Sequence, residues 1–208
     1  MNHAGNGSEA LTLAAIREAV AVPPEALPTG PAPGRHAAVA LVLAGPEADL
    51  SLCLIRRAEA EGDPWSGHMA LPGGRADPTD PTPQAVAERE TWEEVGLRLH
   101  GGQMVGPLET LPVHSKGVAV GMELHPFVYY LGPHLAPFRP SEEVAEAFWV
   151  PLEHLADTRN GDQYRIVRQG VTRHSPAIRY GSDMVWGLTY RVLVTFFDRL
   201  ARPLPPPW

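Results

Sequence analysis

Hydrophobic positions along this chain follow two rhythms. Arg35 to Ala44 (RHAAVALVLA) and Asp49 to Arg57 (DLSLCLIRR) are short apolar runs bounded by turn residues. They predict two strands of a hairpin across Gly45-Pro46. Gln103 to Val113 and Met122 to Leu131 predict a second pair, joined through His114-Ser115-Lys116-Gly117. Asp162 to Val171 and Arg173 to Tyr180 predict a third. Helical spacing appears at Leu11, Ala15, Ile16 and Ala19 within Glu9 to Val22. It returns at Val185, Leu188, Val192 and Phe196 within Asp183 to Ala201, where Asp183 could cap the first turn. A short helix between Thr82-Pro83 and Gly96 has a proline suited to its first turn and a glycine suited to its end.

Proline-rich Pro23 to Gly34 reads as a connector. The expected organisation is an N-terminal helix and connector over 1–34, one domain over 35–201, and a loose tail over 202–208. With 208 residues, the chain is long enough for a single core with decorations. A net charge of −7 argues against a surface that coats nucleic acid. The lone cysteine, Cys53, lies in an apolar run and excludes a disulfide framework or a cysteine zinc site. No run is long enough to span a membrane and no signal-peptide pattern opens the chain, so a cytoplasmic protein is expected.

The densest chemistry lies between Ala70 and Leu97. A Pro72-Gly73-Gly74 corner leads through an acidic loop into a helix carrying Glu90, Glu93 and Glu94 on one face, with Ala85, Trp92 and Val95 roughly opposite. Three crowded carboxylates repel one another unless a cation sits among them, and oxygen-only donors suit Mg²⁺ or Mn²⁺. A solvated surface helix with an Arg89–Glu93 pair is the competing reading.

Arg89-Glu90-Thr91-Trp92-Glu93-Glu94-Val95-Gly96-Leu97 resembles the second half of the Nudix box, G-x5-E-x7-R-E-U-x-E-E-x-G-U with U aliphatic. Thr91 stands where an aliphatic residue is usual. Counting on from Gly74 gives Asp80 in place of the first glutamate, with eight residues rather than seven before Arg89. Leu54-Ile55-Arg56-Arg57 and Ser66 to Gly74 are similar to the motif that precedes the box in the coenzyme A pyrophosphatase branch, whose second arginine is missing here. Val185-Trp186-Gly187-Leu188-Thr189 resembles a W-G-x-T segment of the same branch.

The resemblance implies an α/β/α Nudix sandwich with a mixed sheet, and a divalent-metal-dependent pyrophosphohydrolase. Glu90, Glu94 and the Gly74 carbonyl would be metal ligands. Glu93 would act through water or as a third ligand, and Arg89 would hold a helix glutamate in place. Family members often supply a further glutamate from the region before Trp149-Val150-Pro151-Leu152, either as a ligand or as the base for water. Glu143 is the first candidate and Glu146 the alternative. Arg56, Arg57 and Lys116 are candidate phosphate or substrate contacts, with His114 beside Lys116, whereas His125 reads as structural.

The implied substrate is coenzyme A or a thioester of it, cut to 3′,5′-ADP and (acyl-)4′-phosphopantetheine. ADP-ribose, NADH or a nucleoside triphosphate is the nearest rival substrate, and a non-catalytic nucleotide sensor the rival from another class. Dimers are common in the family, and no motif here demands or forbids one.

Overall fold

The computed structural model describes residues 11–21, 35–61, 66–115, 118–168 and 170–204. Its main sheet has eight strands. At its centre β1 (Arg35–Ala44) runs parallel to β7 (Val118–Tyr130), paired from Arg35↔Met122 to Leu43↔Tyr130. Beyond β7 lie β5 (Met104–Pro107) and β6 (Leu111–Ser115), both antiparallel to it. On the other side, β2 (Ser51–Arg57) pairs along its length with β8 (Val144–Pro151).

The predicted hairpin between β1 and β2 exists but is short. The two strands pair only at Leu43↔Leu52 and Ala44↔Ser51, then diverge. Into the gap step β3 (Met69–Ala70), which pairs with β2, and β4 (Gly73–Arg75), which pairs with β1. The Ala40 N–H donates to the Pro72 carbonyl at 2.9 Å, pinning the corner between them. Gly73 has φ +149°, and a Cβ there would sit 2.2 Å from the Ala38 carbonyl oxygen. Only glycine lets the backbone approach β1 this closely.

Side chains alternate across the sheet and build a core on each face. Ala38, Ala40, Val42, Cys53, Ile55, Phe127 and Tyr129 face α2 (Pro83–Val95). The small alanines of β1 allow α2 to lie close. Leu41, Leu43, Leu52, Leu54 and Val128 face the opposite layer. That layer contains α1 (Leu13–Val20), α3 (Leu152–Ala156) and α4 (Gly187–Arg199). A second, three-stranded sheet completes it, with β10 (Val171–Tyr180) between β9 (Gly161–Arg168) and β11 (Asp183–Trp186). The architecture is the expected α/β/α sandwich with a mixed sheet.

Several expected elements change. Gln103–Val113 is not one strand: it breaks at 108–110, and its two halves pair with different stretches of the long β7. Asp183 does not cap the last helix but opens β11, and the helix begins only at Gly187, which has a left-handed φ of +65°. The α1 helix is part of the core, with Leu13, Ile16 and Val20 fully buried, and Leu204 packs against the same cluster. Among the described residues, no helix is long and apolar enough to cross a membrane.

Gly73→Ala should destabilise the protein by about 1–3 kcal/mol through overpacking against β1. Gly102→Ala, where a Cβ would meet nothing within 4 Å, should change stability by less than about 0.5 kcal/mol. Urea unfolding of the two variants checks the contrast.

Candidate active site

The α2 helix starts and stops where its residues dictate. The Thr82 hydroxyl accepts the Ala85 N–H at 3.1 Å, Pro83 occupies the first turn, and left-handed Gly96 donates to the Trp92 carbonyl. Past its end, Arg139 N–H and Ser141 N–H donate to the Val95 and Glu94 carbonyls at 2.8 and 2.9 Å. Those bonds cap the helix and deliver the segment bearing Glu143 to its acidic face.

The helix is rotated so that a carboxylate, not an indole, points inward. Glu94 is 4% exposed, whereas Trp92 is 40% exposed, contrary to its expected place on the apolar side. Arg98 instead stacks over the Trp92 ring at 4.0 Å. Thr91, at the usually aliphatic position, is fully buried, and its hydroxyl donates to the Ala87 carbonyl at 2.6 Å. The backbone thus satisfies the one polar atom that an aliphatic residue would lack.

Glu90 and Glu94 lie against consecutive glycines. Gly73 N–H donates to Glu94 Oε2 at 2.8 Å, and a Cβ on Gly74 would fall 2.4 Å from the Glu90 carboxyl carbon. Burial, then the nearby charges of Glu90 and Glu143, push the Glu94 carboxyl up to about 8, against the lowering effects of the Gly73 N–H and Arg57. Burial also raises Glu90, opposed by Arg89 and reinforced by Glu93 and Glu143. By formal count, Glu90, Glu93, Glu94, Glu143 and Asp80 face two guanidinium groups, Arg57 and Arg89, so the cluster carries surplus negative charge.

Arg89 holds the cluster in order. Its guanidinium donates to both oxygens of Asp80 at 3.1 and 2.9 Å, to Glu90 and Glu93 at 2.9 Å each, and to the Arg75 carbonyl at 3.2 Å. Asp80 also accepts the Asp77 N–H, and the Arg89 fork holds its carboxyl below the usual range. Asp80 thus has a structural partner in Arg89, a role sequence reasoning did not assign.

The other candidates separate by sheet face. Arg57 acts electrostatically on Glu94. Arg56, one residue earlier, projects to the opposite face, where it pairs with Glu146 at 2.8 Å and Asp183 at 3.1 Å. Glu146 is therefore committed away from the cluster, and Glu143 is the one of the pair that acts on Glu90 and Glu94. Lys116 and the side chain of His114 lie outside the described residues. His125 is buried, with Nδ1 3.3 Å from the Thr110 hydroxyl and its ring set edge-on to His36.

Among the described residues, no three acidic, imidazole or thiol groups converge into a finished metal cage. What the site offers is an incomplete one: two carboxylates, a third on the same helix, and glycine backbone held within reach. Hard oxygen donors with surplus negative charge fit a hard divalent cation.

The site is thus a carboxylate helix set over a glycine corner, in the gap between diverging strands. The NUDIX domain model matches residues 34–170, and the chain belongs to that family. It is 37% identical over 141 residues to the human mitochondrial coenzyme A diphosphatase NUDT8, covering 66% of this chain and 57% of that protein. It is 33% identical to the uncharacterized Nudix hydrolase NudL of Photorhabdus laumondii, covering 76% of this chain and 81% of the relative. Among solved structures, a MutT/nudix family protein from Enterococcus faecalis shares the fold, with a TM-score of 0.56 at 16% identity. That match covers 82% of this chain and 63% of the other.

Asp80→Asn should cost about 1–2 kcal/mol at neutral pH, because Arg89 keeps partial solvent access and other partners. Its native carboxyl titrates lower than in the unfolded chain, so the stabilisation is full above the unfolded value near 3.9. It is lost as pH falls through the lower folded value. The gap between wild type and variant should therefore close in acid, as read by urea unfolding at pH 7, 4 and 2.5.

Proposed function

We propose that this protein is a Mg²⁺- or Mn²⁺-dependent pyrophosphohydrolase that cleaves the diphosphate of coenzyme A or its thioesters. The observation that supports this most is the placement of Glu90 and Glu94 against Gly73-Gly74, with Glu143 and Arg57 acting on the same carboxylates. The coenzyme A assignment draws on the likeness to proteins named as coenzyme A diphosphatases in human and mouse, of which this chain spans 57% and 58%.

In this reading Glu90, Glu94 and the Gly74 carbonyl would hold the ion, and Glu93 would contribute through water or as a third ligand. A divalent cation held there would neutralise charge on the diphosphate. Arg89 keeps Glu90 and Glu93 in the orientation that its forked hydrogen bonds define. Arg57 offers a positive charge to the diphosphate beside Glu94. Glu143, exposed at the edge of the cluster, takes the proton of the attacking water as its oxygen bonds to phosphorus. The P–O bond to the other phosphate breaks, giving 3′,5′-ADP and 4′-phosphopantetheine.

Purified protein with Mg²⁺ and then Mn²⁺ should release 3′,5′-ADP from coenzyme A and acetyl-coenzyme A, as resolved by chromatography. Cleavage of ADP-ribose or NADH instead would overturn the substrate assignment and keep the chemistry. Silence on every nucleotide with both metals would favour a sensor. Glu90→Gln and Glu94→Gln should each lower kcat by about a hundredfold or more with the fold intact. Glu143→Gln should lower it by roughly a hundredfold if it is the base. Near-wild-type rates in both ligand variants would sink the metal assignment.

A further inference from the structure

The motif Trp186-Gly187-Leu188-Thr189 contributes nothing to the carboxylate cluster, yet the fold gives it a definite setting. The Thr189 hydroxyl donates to the Met69 carbonyl at 3.2 Å, tying the start of α4 to β3. Gly187 turns the chain from strand to helix and leaves the Trp186 ring at the end of β11. In the three-stranded sheet, Trp186 pairs with Ala177, Ala177 with Asp162, and Ser175 with Tyr164. Tyr164 and Trp186 therefore share a face, separated by the small residues of β10. Their rings meet over that strand, stacked at 4.0 Å between centroids with 10° between planes. His68 closes edge-on against both, at 4.8 Å from Trp186 and 5.8 Å from Tyr164. All three rings are only half-buried, so the stack keeps an open side.

The location matters as much as the rings. The Arg57 N–H donates to the His68 carbonyl at 3.1 Å, and Ala58 N–H donates to the Glu143 carbonyl at 2.8 Å. The loop that presents His68 is thus bonded at both ends to residues that act on the Glu90–Glu94 cluster. The charge around the stack is also unusual for this chain. The stretch 161–180 carries four arginines against one aspartate, in a protein of net charge −7. Arg179 is ion-paired with Asp162, whereas Arg173 is exposed and shares the face of Tyr164 by register.

We propose that Tyr164, Trp186 and His68 form a stacking wall for the purine base of the substrate, with Arg173 placed to meet phosphate on the same nucleotide. The proposal rests on the pyrophosphohydrolase reading above and names the residues that read one half of its substrate. A flat, pre-stacked aromatic surface gains from a second planar ring and loses no side-chain freedom in taking it. A flexible pantetheine arm gains little from such a surface. The positive charge of the arginine favours the phosphorylated nucleoside for the same reason.

The test uses binding without turnover. Calorimetry with 3′,5′-ADP in the absence of metal should show binding to the wild-type protein that Tyr164→Ala weakens roughly tenfold. Tyr164→Phe, which keeps the ring, should restore it, and Arg173→Ala should weaken 3′,5′-ADP more than adenosine. Affinity for 4′-phosphopantetheine should not move in Tyr164→Ala. With coenzyme A as substrate, the same variant should raise KM more than it lowers kcat.

If the rings serve packing alone, Tyr164→Ala will lower Tm and leave 3′,5′-ADP affinity and KM as in wild type, which overturns the proposal. So does wild-type protein that binds no adenine nucleotide, or a variant that loses pantetheine rather than nucleotide. Ring-dependent binding of 3′,5′-ADP by a protein that leaves coenzyme A intact would uphold the wall and reject the coenzyme A assignment. Cleavage of coenzyme A with a KM indifferent to Tyr164 would do the reverse.

Discussion

Most of this site depends on one guanidinium, Arg89, holding like charges together. Glu90, Glu93 and Glu94 lie within a turn and a half of helix, and Asp80 comes to the same place from the loop. Left to themselves, these groups would repel or take up protons. Arg89 spends its donors on three carboxylates and a carbonyl, so the loop 75–80 and the helix become a single unit. Lysine could not replace it, because one ammonium lacks the fixed fork that reaches both Asp80 oxygens while still meeting Glu90 and Glu93. Glu94 alone escapes this arrangement. It is buried and bonded to Gly73, and burial first of all raises its carboxyl.

The backbone that makes room for it comes from a flaw in the sheet. β1 and β2 part after two pairs, and the Leu71-Pro72-Gly73-Gly74 corner fills the opening. Because Gly73 has no side chain, the corner can press onto β1. Because Gly74 has none, Glu90 can lie against it. The same corner follows directly on β3, whose Met69 carbonyl is tied to Thr189 and whose preceding loop carries His68. A gap in one sheet thus links the carboxylate cluster to the aromatic face of the other.

The parts legible in the sequence were those with local causes. Thr82-Pro83 and Gly96 bound α2 because capping and left-handed turns act within a few residues, and the glutamate spacing followed from helix geometry. What could not be read depended on distant partners. Trp92 counted as apolar-side by periodicity, but the helix turns its buried arc toward Glu94 because the glycine corner lies there. Arg56 and Arg57 are chemically alike, and only strand alternation sends one to Asp183 and the other toward Glu94. Asp183 looked like a helix cap because its side chain can accept an N–H just ahead of the apolar stripe, whereas the strand pairing with β10 extends to Trp186. Glu146 lies within β8 opposite Arg56, whereas Glu143 precedes that strand, a choice the acidic run itself left open. The stack of Tyr164 on Trp186 joins residues 22 positions apart across an intervening strand, and no local pattern announces it.

The central claim is that Glu94, bonded to Gly73, and Glu90, held by Arg89 against Gly74, form a divalent-cation site. Titration of the purified protein with Mn²⁺, followed by electron paramagnetic resonance of the free ion, measures this without any substrate. The account predicts saturable binding in the wild type that Glu94→Gln weakens strongly, while exposed Glu142→Gln leaves it unchanged. Mn²⁺ binding that is absent in the wild type, or indifferent to Glu94, would contradict it.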